Sequence, residues 1–287
     1  MRYAGLALAL AALAACDSSE IGPGSNGDGK TSVLLTDAPF PFDQVSRVDI
    51  HVREIALSTS LDTSDGAPEW VVVSSPDRLF NLLDLQNGST ALLGEAEVPP
   101  GDYRAVRLVF DPTRSTITLA DGEVLGTAAG PGDPGVSWQA KGDRPSLFAL
   151  VEEAMAIGAD GEDVVVDFDV GRSFLYDGGK HFTFIPFLRA ITRSGSGALH
   201  GRLIRESDQG PIEDAVVSVH LARDSTAQLG PLLATTRAAA DGEFTASFLR
   251  PGRYQLVAED LERSTTTVSE VVEVAAGRTT EVGEIEF

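Results

Sequence analysis

Two carboxylates two positions apart are the first feature with chemical potential: Asp167 and Asp169, in the run Val164-Val165-Val166-Asp167-Phe168-Asp169-Val170. On a strand, side chains alternate between faces, so residues i and i+2 share one. Such a pair offers hard oxygen ligands for Ca²⁺, or an acid and a base side by side. The same spacing also makes an ordinary solvated strand face, and this is the reading the pattern favours. Asp37, in Thr36-Asp37-Ala38-Pro39, stands at a strand end, where Asp side chains cap turns. His51 falls among the polar positions of a strand and reads as an isolated surface histidine. Asn26-Gly27-Asp28-Gly29 has a trace of a Ca²⁺ loop but lacks the ladder of ligands and the closing Glu. Trp70, Trp138, Tyr176 and Phe182 supply enough ring surface for a sugar-binding platform, although aromatics in a small sandwich more often fill its core, the reading favoured for them.

Nothing else assembles into catalytic machinery. There is no Gly-x-Ser-x-Gly sequence and no glycine-rich loop opening a helix. The four His include no pair at metal-ligand spacing. The chain is expected to be no enzyme and to need no cofactor. A net charge of −21, from 43 acidic and 22 basic residues, opposes nucleic-acid binding, which needs clustered Lys and Arg. It fits solubility in an extracytoplasmic setting.

Cys16 has a chemistry of its own. Met1-Arg2-Tyr3, an apolar run to Ala15 and then Cys16 describe a secretory signal peptide. The run is shorter than the roughly 20 apolar residues a spanning helix needs. Leu13-Ala14-Ala15-Cys16 resembles the bacterial lipobox, which implies acylation of the Cys16 thiol and cleavage before it. Cys16 is the single cysteine of the chain, so it has no disulfide partner. Two or three acyl chains hold a protein stably on a membrane where one does not. The expected setting is a bacterial cell envelope, extracytoplasmic and lipid-anchored. Asp17 resembles an inner-membrane retention signal of some enteric bacteria, a rule that does not carry over between phyla, so inner and outer membranes both stay open.

The elements that must position these residues are strands. Residues 16–30 form a Ser-, Gly- and Asp-rich tether. A first unit covers 31–192, residues 193–197 link, and a second unit covers 198–287. Val48/Ile50/Val52, Val106/Leu108/Phe110 and Val164/Val166/Phe168 alternate with polar or smaller neighbours, one face packed and one wet. Asn87-Gly88, Asp121-Gly122, Asp160-Gly161 and Asp177-Gly178 mark turns. Leu147–Ile157 fits a helix or a buried strand. Pro100-Gly101-Asp102-Tyr103 and Pro251-Gly252-Arg253-Tyr254 set the same Pro-Gly turn before a Tyr-led strand. Each Gly is expected at positive φ, with the Tyr hydroxyl bonding back across the turn as in a tyrosine corner. The pattern predicts an all-β chain of two antiparallel β-sandwich domains in tandem, immunoglobulin- or transthyretin-like.

Two resemblances sharpen this. Gly201-Arg202-Leu203, Gly210–Val217, Ala240–Phe244 and Leu249–Leu256 resemble the carboxypeptidase regulatory-like domain, a small transthyretin-like sandwich that implies an accessory module without catalytic zinc. Ser32–Pro39, Val48–Ile55, Leu79–Leu85, Pro100–Leu108, Val166–Val170 and Phe184–Ala190 resemble the domain of unknown function 4382 family. That likeness implies an extracytoplasmic β-sandwich and brings no functional residues. The function expected is non-catalytic binding or structural work in the envelope, with a protein or polysaccharide partner. A carbohydrate-binding lipoprotein of a nutrient-uptake system is the second reading and an extracytoplasmic hydrolase the third.

Overall fold

The computed structural model describes residues 29–37, 44–64, 70–139, 145–223 and 229–287. The leader, Cys16, and all but the last two residues of the tether lie outside them. The first module opens with β1 (Gly29–Thr36), β2 (Val45–Ser58), β3 (Val71–Ser74) and β4 (Arg78–Asn81). It continues with β5 (Ala91–Val98), β6 (Gly101–Phe110), β7 (Thr116–Leu119), β8 (Val124–Leu125) and β9 (Gly135–Trp138). It ends with β10 (Ser146–Ile157), β11 (Asp163–Phe168), the one-turn α1 (Val170–Ser173), β12 (Phe174–Gly178), β13 (His181–Phe184) and β14 (Leu188–Thr192). The second module holds β15 (Gly197–Ile204), β16 (Val216–Ala222), β17 (Leu229–Arg237) and β18 (Glu243–Leu249). Then come β19 (Gly252–Asp260), β20 (Thr265–Val274) and β21 (Thr279–Glu286).

In the first module a sheet ordered β14-β11-β1-β5 faces a larger one, β10-β6-β2-β7-β8, and a small sheet β12-β13-β9 adjoins them. Val33, Leu35, Val164, Val166 and Phe168 from one face meet Ile50, Ile55, Leu108 and Phe110 from the other in one apolar core. The second module packs β18-β15-β21 on β17-β16-β19-β20 around its own core, which includes Leu199, Val217, Phe244 and Leu256. The β-sandwich expectation is met in both. Among the described residues, strand pairing is antiparallel except for three parallel ladders: β1 with β11, β9 with β13, and β15 with β21.

Several local expectations change. Leu147–Ile157 is strand, inside β10. The first strand takes Gly29 and Lys30 from the tether, and Gly197 belongs to β15 rather than to the linker. The Tyr103 hydroxyl donates to Pro99 O at 2.8 Å and that of Tyr254 to Arg250 O at 2.6 Å, so both tyrosine corners form. Gly101 and Gly252, however, lack the positive φ expected of them: each opens a strand, β6 or β19, in ordinary backbone conformation. Not every polar position of β2 and β11 is wet: Arg53 is exposed, as the alternation suggests, but others are not. Asp49, His51 and Asp167 are all buried, because the polar face is covered at these positions.

Candidate functional site

The paired carboxylates separate in the fold. Asp167 stays on β11, directly opposite Arg189 of β14, and the two side chains form an ion pair. Asp169 lies one residue past the strand and caps α1, its Oδ1 accepting the Arg172 N–H at 2.9 Å. Asp37 joins them from the end of β1. Its Oδ1 accepts the Val170 N–H at 3.0 Å and ties two segments 133 residues apart; the turn it is expected to cap lies outside the described residues. All three acids are buried, at 5%, 8% and 3% exposure for Asp37, Asp167 and Asp169. The solvated-face reading of Asp167 and Asp169 is thereby corrected: both faces of β11 are covered, and Asp169 lies beyond the strand. Burial pushes the Asp37 carboxyl well above its ordinary range, against the Val170 N–H, and the charges of Asp167 and Asp169 push it further. Burial also raises Asp169, opposed by the Arg172 N–H. Among the described residues no three His, Cys, Asp or Glu side chains are grouped to hold a metal ion. As Ca²⁺ ligands, Asp167 and Asp169 are turned to Arg189 and to a helix cap instead.

This cluster lies where the second module docks. A cavity of about 20 Å³, room for about one water, is lined by Asp37, Asp167 and Arg189 on one side and by Thr236, Ser247 and Phe248 on the other. The turn at Asn87-Gly88 makes the junction. Both residues have positive φ (56° and 82°) and Ser89 N–H closes the turn on Gln86 O, the type I′ geometry that Asn-Gly favours. Thr36 Oγ1 holds the segment to β1 through Leu85 O and Ser89 O, at 3.0 and 2.8 Å. Asn87 Oδ1 then accepts from the Thr236 hydroxyl at 2.9 Å and from the Arg237 N–H at 3.4 Å. A Cβ on Gly88 would come within 2.5 Å of Ser247 Oγ. Across the junction Phe248 has φ +56°, a conformation bulky residues rarely hold, where β18 nears its end. Sequence reasoning recognised the Asn87-Gly88 turn but not its docking role. It also missed Arg189, whose one available signal was a charge inside the apolar run Phe187-Leu188-Arg189-Ala190-Ile191.

The aromatic platform does not assemble. Trp138 packs among Phe110, Phe174 and Phe184, with centroids 5.0–5.9 Å apart. Phe182 is buried, and half-buried Trp70 lies under the Arg107 guanidinium on β6. Tyr176 alone of the four is exposed, braced on Phe182 at 5.1 Å beside a cavity of about 330 Å³. His51 is fully buried, not on the surface; its Nε2 lies 3.6 Å from Asp77 Oδ1, beyond hydrogen-bond reach.

Two stacked-sheet modules, separate cores and one polar seam define a tandem β-sandwich protein. The chain belongs to the family described as Domain of unknown function (DUF4382), which matches residues 28–186. Residues 198–286 match the carboxypeptidase regulatory-like domain. No curated protein matches the chain. Among solved structures, a 9R-lipoxygenase from Cyanothece PCC8801 aligns at 10% identity over 33% of this chain, with a TM-score of 0.24; the chain spans 17% of it. A putative carbohydrate binding protein from Pseudomonas aeruginosa aligns at 16% identity over 33% of this chain and 90% of its own, TM-score 0.22. The shaft pilin SpaA of Lactobacillus rhamnosus GG aligns at 10% identity over 90% and 96%, TM-score 0.25. At scores this low none of these likenesses bears on what the chain does.

Proposed function

We propose that this chain is a bacterial envelope lipoprotein, held to its membrane by acyl chains on Cys16, whose two coupled sandwich modules do non-catalytic binding or structural work. One observation carries the reading. The buried carboxylates that could have formed a reactive centre act as fasteners: Asp169 caps α1, Asp37 joins β1 to α1, Asp167 pairs with Arg189, and the second module lies over them. A site built for chemistry leaves its acid and base open to a substrate. The anchor reading rests on the lipobox-like Leu13–Cys16, and the acidic surface supports an extracytoplasmic place.

Membrane fractionation tests the anchor. The unsubstituted chain should partition with membranes and into detergent, and Cys16→Ala should leave it unprocessed or released. A variant that fractionates like the parent refutes the anchor. Hydrolysis of chromogenic esters, glycosides or peptides by the purified chain, abolished by Asp167→Asn in a protein that still folds, would overturn the non-catalytic part.

A further inference from the structure

His200 stands in the middle of the second module's smaller sheet, on β15, flanked by β18 and β21. Its ring is partly buried and has a carboxylate on each side. Nδ1 lies 2.9 Å from Glu281 Oε2, directly across the parallel ladder to β21. Nε2 lies 3.8 Å from Glu243 Oε2 on β18. These two charges act on the ring, and Arg202 and Glu284 lie next along the same face, 3.7 Å apart. Arg202 Nε also donates to Asp241 O at 2.9 Å. The sheet's other face is apolar, with Leu199, Leu203, Phe244 and Ile285 in the core. The position along the ladder matters too. The β15–β21 register shifts between His200 and Gly201, where Gly283 takes φ +83°. Such an irregularity interrupts the backbone bonding, so a side-chain tie beside it has more to hold. In this sheet β21 pairs with β15 alone.

We propose that His200 is a proton-operated clasp: as the imidazolium it ties β21 and β18 to β15, and on losing its proton it lets β21 loosen. The ring's own chemistry supplies the two states. A neutral imidazole has one N–H and can donate to one carboxylate, whereas the imidazolium has two and can face both. Once neutral, it leaves Glu243 and Glu281 on either side of an uncharged ring, on a face that also carries Glu284. The hydrogen bond to Glu281 raises the imidazole above its ordinary range; the charges of Glu281 and Glu243 act in the same sense, and burial opposes them. A folded-state value raised in this way contributes stability that is complete below the unfolded value, near 6.5, and is lost as pH rises through the raised folded value. The clasp is closed in mild acid and opens as the pH climbs above that range. Its sense is the same as that of Asp37 and Asp169, but its place is the sheet that joins the first and last strands of the second module.

Amide hydrogen exchange on the full-length chain in detergent tests it. Protection of the β21 segment, corrected for the intrinsic pH dependence of exchange, should fall by about two- to fivefold from about pH 6 to about pH 9, the scale of an exposed ion pair. His200→Gln is neutral at every pH and should flatten that response. Glu281→Gln keeps the ring and removes the nearer charge, so it should shrink the response and move its midpoint to lower pH. His220→Gln, on β16 of the other sheet, should respond as the parent does. Thermal melts show which variants fold. Protection of β21 that stays flat in the parent, or that falls equally in folded His200→Gln or Glu281→Gln protein, overturns the clasp. The Cys16→Ala fractionation is untouched by that outcome, so failure here is distinct from failure of the envelope assignment.

Discussion

Asp37 is the residue whose surroundings most oppose its charge. It is buried beside two other acids, whose charges add to the effect of burial. A folded-state pKa above the unfolded one contributes stability that is complete in acid, below the unfolded value near 3.8, and is lost as pH rises through the raised folded value. Asp169 acts in the same sense. Asp37→Asn keeps an acceptor for the Val170 N–H and removes the charge. The variant should therefore melt higher than the parent at pH 7–8, by an amount on the order of 1–2 kcal/mol, and the gain should shrink toward pH 4. Melting curves across that range decide it; a variant less stable than the parent at pH 8 would show that the ionised carboxylate is the stabilising form. Only part of this was legible in the sequence. Asp167 and Asp169 stood out by spacing, but spacing assumes that the strand continues and that one face is wet. Here β11 stops at Phe168, and both of its faces are covered.

Among elements, the Asn87-Gly88 turn shows how a local signal can be read correctly and its use missed. Two positive φ values explain the residue pair, and any hairpin could want them. What the dipeptide does not disclose is Ser247, 159 positions away and 2.5 Å from where a Gly88 Cβ would stand. Gly88→Ala should thus carry two penalties, backbone strain and a clash, together about 1–3 kcal/mol. Adding Ser247→Gly should recover the clash and leave the strain. Denaturant midpoints of the two variants measure this; no recovery in the double variant would mean that the modules do not touch there. Strands were the most readable elements, because the alternation in β2 and β6 and the Gly-containing turns mark them directly. The parallel ladders were not readable, since they pair residues such as Val33 and Val164 that no local pattern connects. The tyrosine corners were legible as a motif, although the Pro-Gly turns forming them use a different backbone from the one the motif suggests.

Across the whole molecule, each module has its own apolar core, and Asn87, Gly88, Arg172 and the acid cluster meet the second module mostly through polar contacts. A fragment from Ala198 to Phe287 should accordingly unfold in one cooperative transition; a broad, non-cooperative melt would mean that the seam supplies stability the small core lacks. The strand order also decides how the chain would bear a load. The first and last strands of the second module, β15 and β21, are parallel neighbours. Pulling their outer ends apart drags one strand along the other, so the ladder's bonds resist together. In the first module Ser32 lies beside Asp163, and Val164 beside Thr192, so chain entry and exit share one end of the sheet. Tension there opens β14 one bond at a time. A pull between the N-terminal segment and Phe287 would therefore peel the first module at low force while the second holds, and the first module would act as the extensible part of the molecule.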